Sequence, residues 1–134
     1  MTLAILKNKK FRTDCVRDCI TSATAKNATY EHYGITKPAD NQGQNQTCEL
    51  DHVVPLEMGG ADSLDNIWPQ CGPDSAALND RFFKQKDLVE NYLTTQVKNG
   101  SMDLAEAQEA IAKDWTQFRT SAKTWCAAHK CSAR

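Results

Sequence analysis

The run from Cys48 to Pro69 holds the residue types of a reactive centre. An acid, Asp51, stands beside an imidazole, His52. Pro55-Leu56 and Gly59-Gly60 follow, and Asn66-Ile67-Trp68-Pro69 closes the run. Imidazole titrates close to working pH and can take a proton from water. A carboxylate next to it can hold a hard cation such as Mg2+ through oxygen. The chemistry this combination suits is activation of a water molecule beside a bound cation.

Such residues need a scaffold. Leu50 to Leu56 contains β-branched residues between turn signals and reads as a short strand. Successive side chains of a strand face opposite ways, so Asp51 and His52 must serve opposite faces. Pro55 has no N–H for a ladder and ends the strand. Gly59 and Gly60 permit the positive φ of a tight turn. Gly59 to Asp65 is then a loop, and Asn66 to Gln70 a second short strand.

Helices are expected on both sides. Residues 11–29 read as a helix bearing Cys15 and Cys19, with Val16, Ile20 and Ala23 on one face. Residues 34–47 are polar and turn-rich, hence a loop. Ser75 to Lys98 reads as one long helix, with Phe82, Val89, Leu93 and Val97 as its buried stripe. Asn99-Gly100 stops it. Asp103 opens another helix in a capping-box pattern with Glu106. Its apolar face is Leu104, Ala107, Ile111, Trp115 and Phe118, and Trp68 and Trp115 read as core. The order strand, loop, strand, helix gives an α+β, mainly helical fold. At 134 residues, with 40% hydrophobic and 25% charged, the chain fits one globular domain, residues 1–134.

Asp-His, then Pro-Leu, Gly-Gly and Asn in this register resemble the HNH, or His-Me finger, endonucleases. Lys86-Asp87-x-x-Glu90-Asn91 and Ala105 to Trp115 look like the continuation found in small secreted or toxin-type members. The resemblance covers residues 48–115, with its core motif in 48–98. It implies a ββα-metal arrangement and metal-dependent cleavage of DNA with little sequence specificity. His52 would be the general base facing substrate, and Asp51 a metal ligand. Asn66 would close the loop, its side chain either holding the His52 ring or bridging loop backbone. The metal would be Mg2+, with Mn2+ or Zn2+ as alternatives.

The chain departs from the family at the last letter of its name. It has three histidines, His32, His52 and His129, and none lies on the helix after Asn66. A second ligand must be another oxygen donor. Asn79 is the first choice, and Asp87 or Glu90 could replace or supplement it. On a continuous helix, Asn79, Phe83, Lys86, Asp87 and Glu90 would share a face. Lys86 there could neutralise a phosphate oxygen.

Charge and cysteine usage narrow the setting. Residues 1–30 carry a net +4, residues 31–80 a net −8 and residues 81–134 a net +3. An acidic centre suits a divalent cation, and basic flanks suit phosphates. The overall net charge of −1 lacks the basic excess of an avid nucleic-acid binder. The six cysteines, Cys15, Cys19, Cys48, Cys71, Cys126 and Cys131, favour disulfides and an oxidising compartment. Cys48–Cys71 would staple the motif, and the two terminal pairs could bridge to each other. Zinc is the competing reading, with His129 between Cys126 and Cys131.

No apolar run approaches the ~18 residues of a membrane span. Leu3 to Leu6 is too short for a signal core. Export would therefore rely on a signal already removed, on one lying elsewhere, or on a carrier. Together these features suggest a secreted nuclease, or a toxin delivered into other cells and countered by an immunity protein in its producer. The alternative is a non-catalytic, disulfide-rich secreted binding module on a degenerate HNH scaffold.

Overall fold

The computed structural model describes residues 2–7, 23–129 and 131. Its helices are α1 (Leu3–Lys7), α2 (Ala23–His32), α3 (Phe82–Lys98), α4 (Leu104–Asp114) and α5 (Arg119–Ala128). Two antiparallel strands, β1 (Cys48–His52) and β2 (Ile67–Cys71), form a hairpin. The architecture is thus α+β and mostly helical. The helix expected over residues 11–29 falls largely outside the described residues, as do Cys15 and Cys19.

The hairpin register pairs Cys48 with Cys71, Asp51 with Trp68 and His52 with Ile67. Cross-strand partners share a face. Glu49, Asp51, Trp68 and Gln70 therefore lie on one side, and Leu50, His52, Ile67 and Pro69 on the other. Cys48 and Cys71 sit at bonding distance, S–S 2.02 Å, and staple the open end of the hairpin. Cys126 pairs with Cys131 at 2.10 Å, which overturns the expected bridge between the two terminal pairs. The 126–131 sulfurs are thereby joined to each other and are not free thiolate ligands for zinc. His129 instead stacks on Trp125 with ring centroids 3.8 Å apart.

The long helix begins later than expected. Residues 75–81 are turns and a short 3-10 segment, Leu78–Asp80, and α3 starts at Phe82. Arg81 holds this break. Its backbone is extended, and its guanidinium donates to the carbonyls of Ala76, Gln44 and Gln46. Those bonds tie the segment to the preceding loop and compete with helix propagation. The expected stripe holds at Val89, Leu93 and Val97 and changes only at its first member. Phe83, not Phe82, is buried, and the stripe of α3 runs Phe83, Lys86, Val89, Leu93 and Val97.

Met58, Val89, Leu93, Val97, Ala107, Ile111 and Ala122 form the main apolar cluster. Gly100, at φ 84°, ends α3 in the left-handed region. The Asp103 carboxylate accepts from Glu106 N, the expected cap of α4. A 3-10 turn over Trp115–Phe118 then redirects the chain into α5, a helix the sequence pattern did not reveal. No described helix is long and apolar enough to cross a membrane.

Candidate functional site

The loop between the strands is built around Asn66. Its side-chain carbonyl accepts from Val54 N at 3.0 Å, and its amide donates to Val54 O and Ala61 O, both at 2.8 Å. Of the two roles open to Asn66, it takes the bridging of loop backbone. Gly59, at φ 84°, closes the turn over Leu56–Met58. Gly60 serves a different need. A Cβ there would lie 1.8 Å from Val54 O, so only glycine allows the two backbone segments to approach.

This closure returns Asp62 to His52. His52 Nε2 lies 2.9 Å from Asp62 Oδ1, with side-chain exposures of 16% and 1%. A buried carboxylate facing Nε2 selects the tautomer that carries its proton there. Nδ1 is then the basic nitrogen. Asp62 was absent from the sequence reading, because a loop has no periodicity that brings a residue back to the strand.

The opposite face of β1 carries a different arrangement. Asp51 is 6% exposed and lies 2.7 Å from Lys86 Nζ. The same ammonium is 2.8 Å from Glu90 Oε1 and donates to His52 O at 2.7 Å. Lys86 is 1% exposed, because its place on α3 falls within the buried stripe. A buried ammonium must be paired and hydrogen-bonded, and these acceptors meet that demand. Burial pulls the Lys86 pKa down, but Glu90 and Asp51 outweigh it and the net shift is upward. Burial raises Asp51 against the opposing pull of Lys86. Burial raises Glu90 well above the carboxylate range, again opposed by Lys86.

Two further acids lie within electrostatic reach. Glu49 is pushed to about 7 by burial, then by Asp87 and Asp51. Asp87 is pushed to about 6 by burial and then by Asp51. Four acids thus gather near one buried ammonium, with Lys84 lowering both Glu49 and Asp87.

A hard divalent ion takes several oxygen ligands around an open centre. Here the oxygens of Asp51 and Glu90 converge on Lys86 Nζ. Among the described residues, no group of three His, Cys, Asp or Glu side chains is placed to hold a metal. As arranged, the donors fit an ammonium and not a divalent ion. Asn79 lies before α3, on the 3-10 segment, so it does not share the helical face of Lys86. It lines, with Gln85, Arg119 and Lys123 among others, a cavity of about 300 Å3 that neither Asp51 nor His52 borders.

Comparison with family profiles, with curated proteins and with solved structures gave no match.

Proposed function

We propose that this chain hydrolyses phosphodiester bonds in nucleic acid, with His52 as general base. The observation that supports this most directly is the His52–Asp62 pair at 2.9 Å. A buried carboxylate orients the imidazole, and the ring keeps 16% of its surface open to solvent at the end of β1. His52 Nδ1 takes the proton of an attacking water, and Asp62 stabilises the imidazolium that forms. Asn66 and Gly60 hold the loop that supplies Asp62. The HNH resemblance favours DNA and a divalent metal, with an exported nuclease or delivered toxin as the setting. The two cysteine pairs at bonding distance accord with an oxidising compartment. Lys86 fills the space between Asp51 and Glu90.

The test is nicking of supercoiled plasmid by the full chain with Mg2+, Mn2+ or EDTA. His52→Ala is expected to abolish nicking. Asp62→Asn is expected to lower it on the order of 10²- to 10⁴-fold, the usual worth of positioned proton transfer. An inert wild-type protein on both plasmid and RNA, or a fully active His52→Ala variant, would overturn the assignment.

A further inference from the structure

A second cavity, of about 220 Å3, lies beside the hairpin on its Asp51 face. Trp68, the cross-strand partner of Asp51, lines it together with Trp115 from the turn after α4. Both indoles are half-buried, so neither is wholly consumed by the core. Val53, which follows His52 in the chain, and Ile111 supply apolar wall. Lys86 also borders the cavity, and its ammonium donates to the His52 carbonyl. The cavity therefore touches the elements that hold the candidate catalytic residue.

We propose that this cavity is a subsite for one unpaired nucleobase of the strand whose phosphodiester, across the edge of the hairpin, is hydrolysed by water with His52 as base. The proposal rests on the phosphodiesterase reading and adds to it a substrate class: single-stranded, or locally opened, nucleic acid. Indole faces stack on any base, because every base presents a π-face. Bases within a duplex are already stacked and paired, so only an unpaired base can enter. Exposed Lys113 stands at the rim and supplies a cation for the adjoining phosphate. Asp114 also borders the cavity, but its carboxylate is turned into the following turn, where it accepts from Thr116 N at 3.0 Å. Lys113 is the exposed cation among the lining residues, and Asp114 keeps its negative charge beside it.

Ala112 gives a way to fill the cavity from outside. It lines the space yet is exposed on α4 and belongs to no buried cluster. Binding of labelled short oligothymidylate to the full chain is measured in EDTA, by anisotropy and by quenching of tryptophan emission. The same sequence annealed to its complement is the control. The wild type is expected to bind the single strand at least about 10-fold more tightly than the duplex, with quenching, as stacking on tryptophan predicts. Ala112→Phe is expected to lose about 10-fold in affinity, along with the quenching, at an unchanged melting temperature. Lys113→Glu is expected to weaken binding and to reduce the salt dependence by about one counterion. It provides the decisive comparison if Ala112→Phe does not fold.

Equal affinity for single strand and duplex, or full affinity in both variants, would overturn the subsite. The nuclease reading fails separately. Plasmid nicking without any single-strand preference removes the subsite and leaves the nuclease. Quenched, Ala112-dependent binding without cleavage of any nucleic acid retains the subsite and removes the nuclease.

Discussion

Replacing Lys86 with Met tests the electrostatic centre most severely. Met has a similar length and apolar stem, so the stripe of α3 stays filled while the ammonium is lost. Asp51, Glu90 and the His52 carbonyl then lose a partner held within 2.8 Å. Removing one member of a buried ionic group costs about 3–5 kcal/mol, because the remaining charge is left buried and uncompensated. For a chain of this size each kcal/mol lowers Tm by roughly 3–5 °C. The loss should therefore be roughly 10–20 °C. Its pH dependence follows from the sign of the shifts. Asp51 and Glu90 already have raised pKa values in the fold, and without Lys86 they rise further. Acids whose folded pKa is raised favour the fold below their unfolded pKa, and that contribution is lost as pH rises. The defect should be largest near pH 8 and shrink toward about pH 5 as both acids take up protons. Thermal unfolding followed by circular dichroism in EDTA, at both pH values, measures it. Lys86→Met combined with Glu90→Gln should recover part of the loss. A change below about 1 kcal/mol near pH 8, or an equal loss at both pH values, would refute a buried ionic centre.

Asn66→Ala removes three hydrogen bonds at once and leaves Val54 N–H unpaired, so denaturant unfolding should show a loss of about 2–4 kcal/mol. Gly60→Ala places a methyl 1.8 Å from the Val54 carbonyl oxygen. That contact is with backbone, which cannot swing aside, so a loss of about 3 kcal/mol in urea unfolding is expected. Glu49, at about 7, and Asp87, at about 6, should make the wild type less stable as pH rises from about 5 to 8 in EDTA. Glu49→Gln should flatten that slope and gain about 1–2 kcal/mol near pH 8, after discounting for partial exposure.

The order of elements was legible because strand and helix periodicities differ. The Asp103 cap and the Gly100 stop follow from local rules, whereas β1 runs Cys48–His52 and not Leu50–Leu56, so it ends before Pro55 is reached. Three features escaped for identifiable reasons. Arg81 breaks the helix through bonds to residues more than thirty positions away, which no local pattern records. Phe83 takes the buried place expected of Phe82, because α3 starts only at Phe82, while Val89, Leu93 and Val97 are buried as expected. Position 86 falls on that same stripe between Phe82 and Val89, so a buried ammonium in need of acids was implied by the spacing and went unread. Asp62 reaches His52 only after the Asn66 brace has folded the loop. Among the cysteines, Cys48 and Cys71 follow from the strand register, whereas Cys126–Cys131 depends on α5, which the pattern did not reveal.

The alternation of β1 divides the candidate chemistry between two faces. His52 faces Asp62 on one side, while Asp51 faces Lys86 on the other, where Trp68 and Lys86 border the cavity. The backbone between them is a common element, since Lys86 donates to the His52 carbonyl. Changes on the Asp62 side alter the orientation of the base and should act on turnover. Changes at the cavity rim alter what is held beside it and should act on affinity. Lys86 belongs to both sets, because losing it frees the carbonyl that fixes β1 against α3. Its substitution should therefore lower turnover and affinity together, even under conditions where the fold survives.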